Sequence, residues 1–143
     1  MEEDTLSESF DVQKEIQQIE NNIQNNSPEL LDNIDEPDKR ELIGMVAEAW
    51  QENEDDANLD DATNSATALL KVVNRQYVRK TDITNRKLFA NSAARFMNSS
   101  LADKTDENGF SHKGTLRPTL KDLNFEVIEP SSENEVFQVT ERE

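Results

Sequence analysis

Apolar residues between positions 62 and 102 recur at the spacing of an α-helix, and this pattern limits the fold more than any other feature. In the first half they fall four, seven, eight, eleven and fifteen residues after Ala62, on one stripe of a helix that would extend to Tyr77. The pattern resumes after residues 81–84, where a threonine or Asp82 is expected to cap a second helix. The segment therefore predicts two helices, or one kinked helix. The stripes consist of Ala62, Ala66, Leu69, Leu70, Val73 and Tyr77, and of Phe89, Ala93, Phe96, Met97 and Ser100.

The same segment is basic in an acidic chain. Residues 1–61 hold 20 acids and 3 bases, a net charge of −17, whereas residues 62–101 hold 7 bases and one acid, a net of +6. Residues 102–143 contribute −5, which gives a total of −16. The face opposite the first stripe carries Lys71, Arg75 and Arg79. This face is either the solvated back of a core helix, with the acidic half of the chain as its simplest partner, or a surface that docks on an external acidic partner.

Composition narrows the functional classes. The 143 residues suffice for one domain with a modest core, and three glycines suit helices better than phosphate-binding loops. Without cysteine there is no disulfide and no thiol nucleophile, and a zinc site would have only His112 and carboxylates as ligands. No apolar run approaches the roughly 20 residues of a membrane span, and the acidic start differs from a signal peptide. We expect no membrane contact and a cytoplasmic location.

No motif points to catalysis, and His112 has no second histidine with which to form a site. Asp56, Asn58 and Asp60 resemble the start of a calcium loop. The sixth position of that loop would be Asp61 instead of glycine, and the twelfth would be Thr67 instead of glutamate, so we interpret the segment as a linker that caps the following helix. The sequence predicts a protein that is not an enzyme and has no cofactor, metal or small-molecule substrate.

The amino-terminal part is predicted to be a flexible acidic segment over residues 1–9, followed by a helix from about Phe10. This helix has isoleucines and a valine at steps of four, three and four, the seam of a short coiled coil. The seam packs either in the core of the chain or on a second subunit or partner. Prolines at positions 28 and 37 predict two helix starts, and Trp50 is expected to anchor the core on the second of these helices. The seam residues are Val12, Ile16, Ile19 and Ile23.

The carboxyl-terminal part is predicted to be a loop over residues 104–118, followed by an extended or hairpin tail. Apolar residues alternate from Leu123 to Val127, and residues 136–140 also favour strands, with a turn at residues 130–135. Two strands need another surface for stability, which makes Phe125 and Phe137 candidate contact residues.

Together these patterns predict a mainly α fold: a small bundle of four to five helices over residues 10–103 with a tail over 104–143. The expected function is structural or assembly work through a protein partner or homo-oligomer. By class analogy we expect a virion component, especially of a bacteriophage, in the host cytoplasm or virion. The alternative is an acidic DNA mimic that occupies a nucleic-acid-binding protein. Direct nucleic-acid binding is not expected, because the overall charge opposes it. The predicted partner-binding residues are Val12, Ile16, Ile19, Ile23, Lys71, Arg75, Arg79, Phe125 and Phe137.

Overall fold

The fold is mainly helical with a carboxyl-terminal hairpin, as the sequence predicts. A computed structural model describes residues 12–32, 34–53, 55–105, 108–133 and 135–141. The predicted flexible segment 1–9 and the helix start at Phe10 lie outside these residues. Across the described ranges the elements are α1 (Val12–Asn26), α2 (Glu29–Asp32), α3 (Glu36–Glu52), α4 (Leu59–Val73), α5 (Arg86–Met97), α6 (His112–Asp122), β1 (Phe125–Ile128) and β2 (Gln138–Glu141), with 3-10 turns at Lys80–Asp82 and Ser100–Asp103.

The isoleucine seam of α1 lies in the core of the chain, which is the first of the two alternatives. Ile19 and Ile23 are fully buried, and Ile16 is 5% exposed. Helix α1 packs on α3 and α4, and Asn22 Nδ2 donates to Thr63 Oγ1 at 3.2 Å. Each buried isoleucine contributes roughly 1.5–3 kcal/mol by leaving water, so this packing is a main source of the helix's stability.

The segment that resembles a calcium loop forms a helix cap, as predicted. Asn58 Oδ1 accepts a hydrogen bond from the Asp61 amide at 2.8 Å, and Asp61 Oδ2 accepts one from the Asn58 amide at 3.2 Å. This reciprocal capping box starts α4. Trp50 is partly buried against the core and donates Nε1–H to the Ala57 carbonyl at 3.1 Å, so it also holds this linker.

Helix α4 ends at Val73, and the prediction that its stripe continues to Tyr77 is wrong. Asn74 Nδ2 donates to the Leu70 carbonyl at 2.8 Å and to the Leu30 carbonyl at 3.0 Å. Arg75 then turns into the left-handed region at φ 61°, and the Gln76 amide bonds the Lys71 carbonyl at 2.7 Å. This pattern closes the helix by satisfying its last carbonyls.

Two separate helices, α4 and α5, and not one kinked helix, form the basic segment of residues 62–102. The cap of α5 is Asn85, whose Oδ1 accepts from the Leu88 amide at 3.0 Å, so the predicted cap within residues 81–84 is wrong. Asn85 directly precedes the helix, whereas the Asp82 carboxylate accepts from the Arg79 amide and from Lys71.

The loop predicted for residues 104–118 contains the first part of α6. Ser111 Oγ caps this helix by accepting from the Gly114 amide at 2.9 Å. Leu116 and Leu120 are fully buried, so packing offsets the poor helix propensity of Gly114 and Pro118. Helix α6 packs on α4, and the antiparallel hairpin that follows it rests on α5 through β2.

Candidate protein-contact surface

Most bases of the central basic segment are bound within the chain. On α5, Arg95 pairs with Glu48 at 3.2 Å and with Glu52, and Lys87 Nζ lies 3.7 Å from Asp56 Oδ2. The hydrogen bond from Arg95 lowers the pKa of Glu52, and a bond from Asn91 adds to this effect. Carboxylates of the acidic half therefore face this helix.

Arg86 clamps the hairpin to α5. Its Nη2 donates to the Leu123 carbonyl at 3.0 Å and to the Asn124 carbonyl at 3.1 Å. The guanidinium carbon also lies 4.1 Å from the centroid of the Phe125 ring, and Nε is 3.4 Å from Glu141 Oε1. Phe125 itself is only 1% exposed, so it is an internal anchor in this fold.

Phe137 is held by α5 and α6. The Asn98 side chain donates to the Phe137 carbonyl at 3.1 Å and accepts from the Phe137 amide at 2.8 Å. Lys113 Nζ and the Arg117 guanidinium carbon lie 4.8 and 5.5 Å from the ring centroid. Phe137 is partly buried, and these contacts attach the start of β2 to the helices.

The other predicted partner-binding residues separate into an inner and an outer group. Val12 is partly buried and lines a groove together with Gly44 and Met45. Lys71 Nζ lies 3.3 Å from Asp82 Oδ2. Arg75 and Arg79 lie beyond the end of α4, so the structure does not place them on a helical face with Lys71.

Arg75 and Arg79 belong to an exposed patch with two aromatic rings. The Arg75 guanidinium carbon lies 5.3 Å from the centroid of the Phe110 ring, and Nη2 is 3.5 Å from the Phe110 carbonyl. Tyr77 is 78% exposed and Phe110 is 61% exposed. Lys80 is also exposed, and within the described ranges no carboxylate lies within ion-pair distance of it. We call these five residues the 75–80 surface: Arg75, Tyr77, Arg79, Lys80 and Phe110.

The backbone of this surface is unusual in two respects. Arg75 occupies the left-handed position after a helix, where glycine is the common residue and a side chain costs roughly 1 kcal/mol. The next residues have no regular secondary structure, and Tyr77 and Val78 make no main-chain hydrogen bond with another described residue. Val78 is buried while Tyr77 and Arg79 face outward, which is the alternation of an extended strand.

Asp82 fixes one end of the 75–80 surface. Its Oδ2 accepts from the Arg79 amide at 2.8 Å and from Lys71 Nζ at 3.3 Å, and its Oδ1 accepts from Arg79 Nη2 at 3.0 Å. Burial of the carboxyl favours the neutral acid, but these bonds outweigh it and lower the pKa of Asp82. The Arg79 side chain stays 65% exposed, so it remains accessible at the surface.

The sequence predicts Arg75 and Arg79 as contact residues but does not predict either ring. Its helical spacing places Tyr77 in the core stripe, and Phe110 lies in the predicted loop. The sequence feature that could have indicated Tyr77 is that a base lies two residues before it and another two residues after it.

Neither a chemical site nor a relative indicates the function. In the described part of the chain there is no cluster of three or more His, Cys, Asp or Glu residues able to hold a metal. The helices of that part are too short or too polar to cross a membrane. In comparisons with known proteins, no family model matches this chain, and neither does any curated protein or solved structure.

Proposed function

We propose that this chain is a non-enzymatic structural or assembly protein that binds another protein through the 75–80 surface. The supporting observation is that Tyr77 and Phe110 are exposed, Arg75 lies against the Phe110 ring, and the exposed Lys80 has no carboxylate within ion-pair distance in the described ranges. Tyrosine and arginine are the residues most enriched at the energetic centres of protein interfaces.

The surface retains residues that a solvated loop does not need. Arg75 occupies a position where glycine would relieve backbone strain, and its side chain covers one face of the Phe110 ring. Burying Tyr77 in a partner would remove most of its ring from water. Interface residues of this type typically lose about 2 kcal/mol or more of binding free energy on truncation.

The partner class is proposed by analogy. Small, acidic, cysteine-free helical chains are common among virion assembly proteins, and we extend the proposal to a bacteriophage virion component in the host cytoplasm or virion. The contact at the 75–80 surface is proposed independently of this analogy.

The acidic DNA mimic is less favoured because several of its acids have internal roles. A mimic presents unneutralised carboxylates to its target. In the densest acidic run, Glu52 pairs with Arg95 and Asp56 pairs with Lys87. Asp61 caps α4 and accepts from Thr84 Oγ1 at 2.6 Å. These three acids stabilise the fold, so the run supplies fewer free charges than its composition suggests.

The proposal is tested with two matched full-length variants in the cells that naturally make this chain. The surface variant carries Tyr77→Ser, Arg79→Gln and Lys80→Gln. The control variant carries Val136→Ser, Lys87→Gln and Lys121→Gln, and it removes the same number of bases and one exposed apolar side chain elsewhere. Tagged chains are purified after nuclease treatment, and the recovered proteins are quantified by mass spectrometry.

We expect the surface variant to recover at least about tenfold less of one protein partner than the control variant does, as is typical when hot-spot residues are truncated. Circular dichroism and urea unfolding verify that both variants are folded. Equal recovery of all partners by the surface variant would overturn the proposal. Loss of bound nucleic acid without loss of any protein would assign the surface to nucleic acid instead.

A further inference from the structure

We propose that the 75–80 surface binds the acidic amino-terminal segment, residues 1–11, of a second copy of this chain. Copies would then join head to tail, with the segment of one on the surface of the next. This inference rests on the proposed function, because it requires the 75–80 surface to be a protein contact, and it deepens that function by naming the partner.

Charge complementarity is the first argument. Residues 1–11 carry five acids and no base: Glu2, Glu3, Asp4, Glu8 and Asp11. The 75–80 surface offers Arg75, Arg79 and Lys80, of which the side chains of Arg79 and Lys80 are exposed. Arg79 is paired with Asp82 but its side chain stays 65% exposed, and Lys80 has no carboxylate within ion-pair distance in the described ranges, so an acidic ligand can reach both cations.

The backbone around Tyr77 suits an extended ligand. The main-chain groups of Tyr77 make no hydrogen bond with another described residue, and the residue is largely in solvent. An extended peptide that lies beside such a segment gains main-chain hydrogen bonds in addition to side-chain contacts, as in strand addition. Because Tyr77 and Arg79 both face outward, the bound segment would meet one ring and one cation on the same side of the strand.

The aromatic rings add an apolar part to the proposed contact. Residues 1–11 include Leu6 and Phe10 between their acids. Tyr77 and Phe110 supply apolar area for such side chains, and Arg75 already stacks on one of these rings. A ligand that combines carboxylates with two large apolar residues therefore matches the composition of the surface.

A tail contact also avoids the repulsion between two acidic bodies. Each copy carries a net charge of −16, which opposes packing of one globular body on another. Eleven extended residues span up to about 36–40 Å, several times the Debye length of about 8 Å at physiological salt. A contact confined to residues 1–11 brings five of the 31 acids of one copy onto the basic surface of the next. Because the two halves of the contact differ, it is heterologous and can extend into rings or filaments.

The test uses full-length chains in complementary pairs. The tail variant carries Glu2→Gln, Glu3→Gln, Asp4→Asn, Glu8→Gln and Asp11→Asn, and the surface variant is the one defined above. Sedimentation velocity is measured for each chain over a range of concentrations at about 20 and about 200 mM salt, since screening weakens exposed ionic contacts. We expect the wild-type mass to rise with concentration, and to rise less in high salt.

A head-to-tail contact predicts a specific result for mixtures. Each variant alone should stay monomeric, because one lacks a working tail and the other lacks a working surface. An equimolar mixture should form dimers but nothing longer, because only one contact per pair is intact. A symmetric contact through either region would not be restored in this way, so a monomeric mixture beside an assembling wild type would overturn the inference.

A labelled peptide of residues 1–11 gives an independent measurement. By fluorescence anisotropy it should bind the tail variant, bind the surface variant at least about tenfold more weakly, and lose affinity with salt. Equal binding of the peptide to both variants would overturn the contact between copies. Binding of the peptide to the tail variant alone, together with a wild type that does not assemble, would overturn it as well.

The two proposals fail in different ways. A monomeric wild type that does not bind the peptide, but that recovers another protein through the 75–80 surface, refutes this inference and leaves the proposed function standing. A surface variant that recovers every native partner, its own copies included, refutes both.

Discussion

Helix α5 and the 75–80 surface both draw bases from the central basic segment, but the arginines of α5 are more buried than Arg79 of the surface. On α5, Arg86 and Arg95 are bonded to carbonyls and carboxylates of the chain itself. Beyond the end of α4, Arg79 bonds Asp82 yet its side chain stays 65% exposed, and Lys80 is exposed with no carboxylate within ion-pair distance in the described ranges. The difference follows from packing, because Arg86 and Arg95 lie where α5 meets β1, β2 and α3. Local net charge therefore does not identify a docking surface until the internal partners have been assigned.

The largest expected effect comes from helix α1, which packs on α3 and on α4, the helix that precedes the 75–80 surface. Ile16→Asp with Ile19→Asp would place two carboxylates among fully packed residues of α1. Each uncompensated buried charge costs several kcal/mol, comparable in sum with the roughly 5–15 kcal/mol stability of a small domain. We expect loss of most helical signal in circular dichroism.

The matched control changes the same helix by the same charge on its exposed side. Gln17→Asp with Gln24→Asp lies on that side, so helicity should be nearly unchanged. Native helicity in the double isoleucine variant would show that the seam does not hold the core together.

A second prediction tests the internal use of α5. Arg86→Ala removes two charge-assisted hydrogen bonds to carbonyls and the stacking on Phe125. We expect a loss of about 2–4 kcal/mol in the free energy of unfolding, measured in urea, with faster amide exchange in β1 and β2. Lys87→Ala, whose side chain is exposed, should cost less than about 0.5 kcal/mol. Similar costs for the two substitutions would show that Arg86 is not a clamp.

A third prediction concerns pH at the border between the regions. The folded pKa of Asp82 is lowered, so the stability its carboxylate contributes is present above the unfolded pKa of about 3.9 and is lost as pH falls through the folded pKa. Asp82→Asn should therefore cost about 1–2 kcal/mol at pH 7 in urea unfolding, and the gap to wild type should narrow below about pH 4. A gap that stays constant down to pH 3 would contradict the proposed role of the carboxylate.

The smallest effect is expected at Arg75. Replacement by glycine relieves the left-handed backbone but loses the stacking on Phe110, so thermal unfolding should change by less than about 0.5 kcal/mol. Arg75→Ala keeps the strain and loses the stacking, and it should be about 1 kcal/mol less stable than the glycine variant. Equal stability of the two variants would show that the position is not strained. Neither substitution should affect the hairpin.

Periodicity predicted the elements that bury a continuous stripe and failed where chain geometry overrides it. The isoleucines of α1 and the alternating residues of β1 were found because burial imposes a repeat on the sequence. Tyr77 continues a repeat by coincidence, since Asn74 and the left-handed Arg75 end the helix first. Helix α6 was missed because Gly114 and Pro118 are turn formers by composition, and only the contacts of Leu116 and Leu120 with distant elements make the segment helical.

The surface itself was only half predictable. Arg75 and Arg79 were visible as bases in an acidic chain, but which bases remain exposed depends on partners that are distant in sequence. Arg95 and its carboxylates, for instance, are more than 40 residues apart. Exposed rings leave no repeat, because they do not belong to a buried stripe. Such residues become identifiable only after the buried set has been assigned.

The side chain of Asn98 has a consequence for the solubility of the hairpin. A two-stranded sheet exposes main-chain groups on which further strands can grow, and this is a common route to aggregation. Here the carboxamide supplies one donor and one acceptor to Phe137, just before β2, and so occupies the groups that an incoming strand would need at that point. Helix α5 thereby ends the sheet with a side chain in place of a third strand, and the hairpin can remain at the surface without recruiting other chains there.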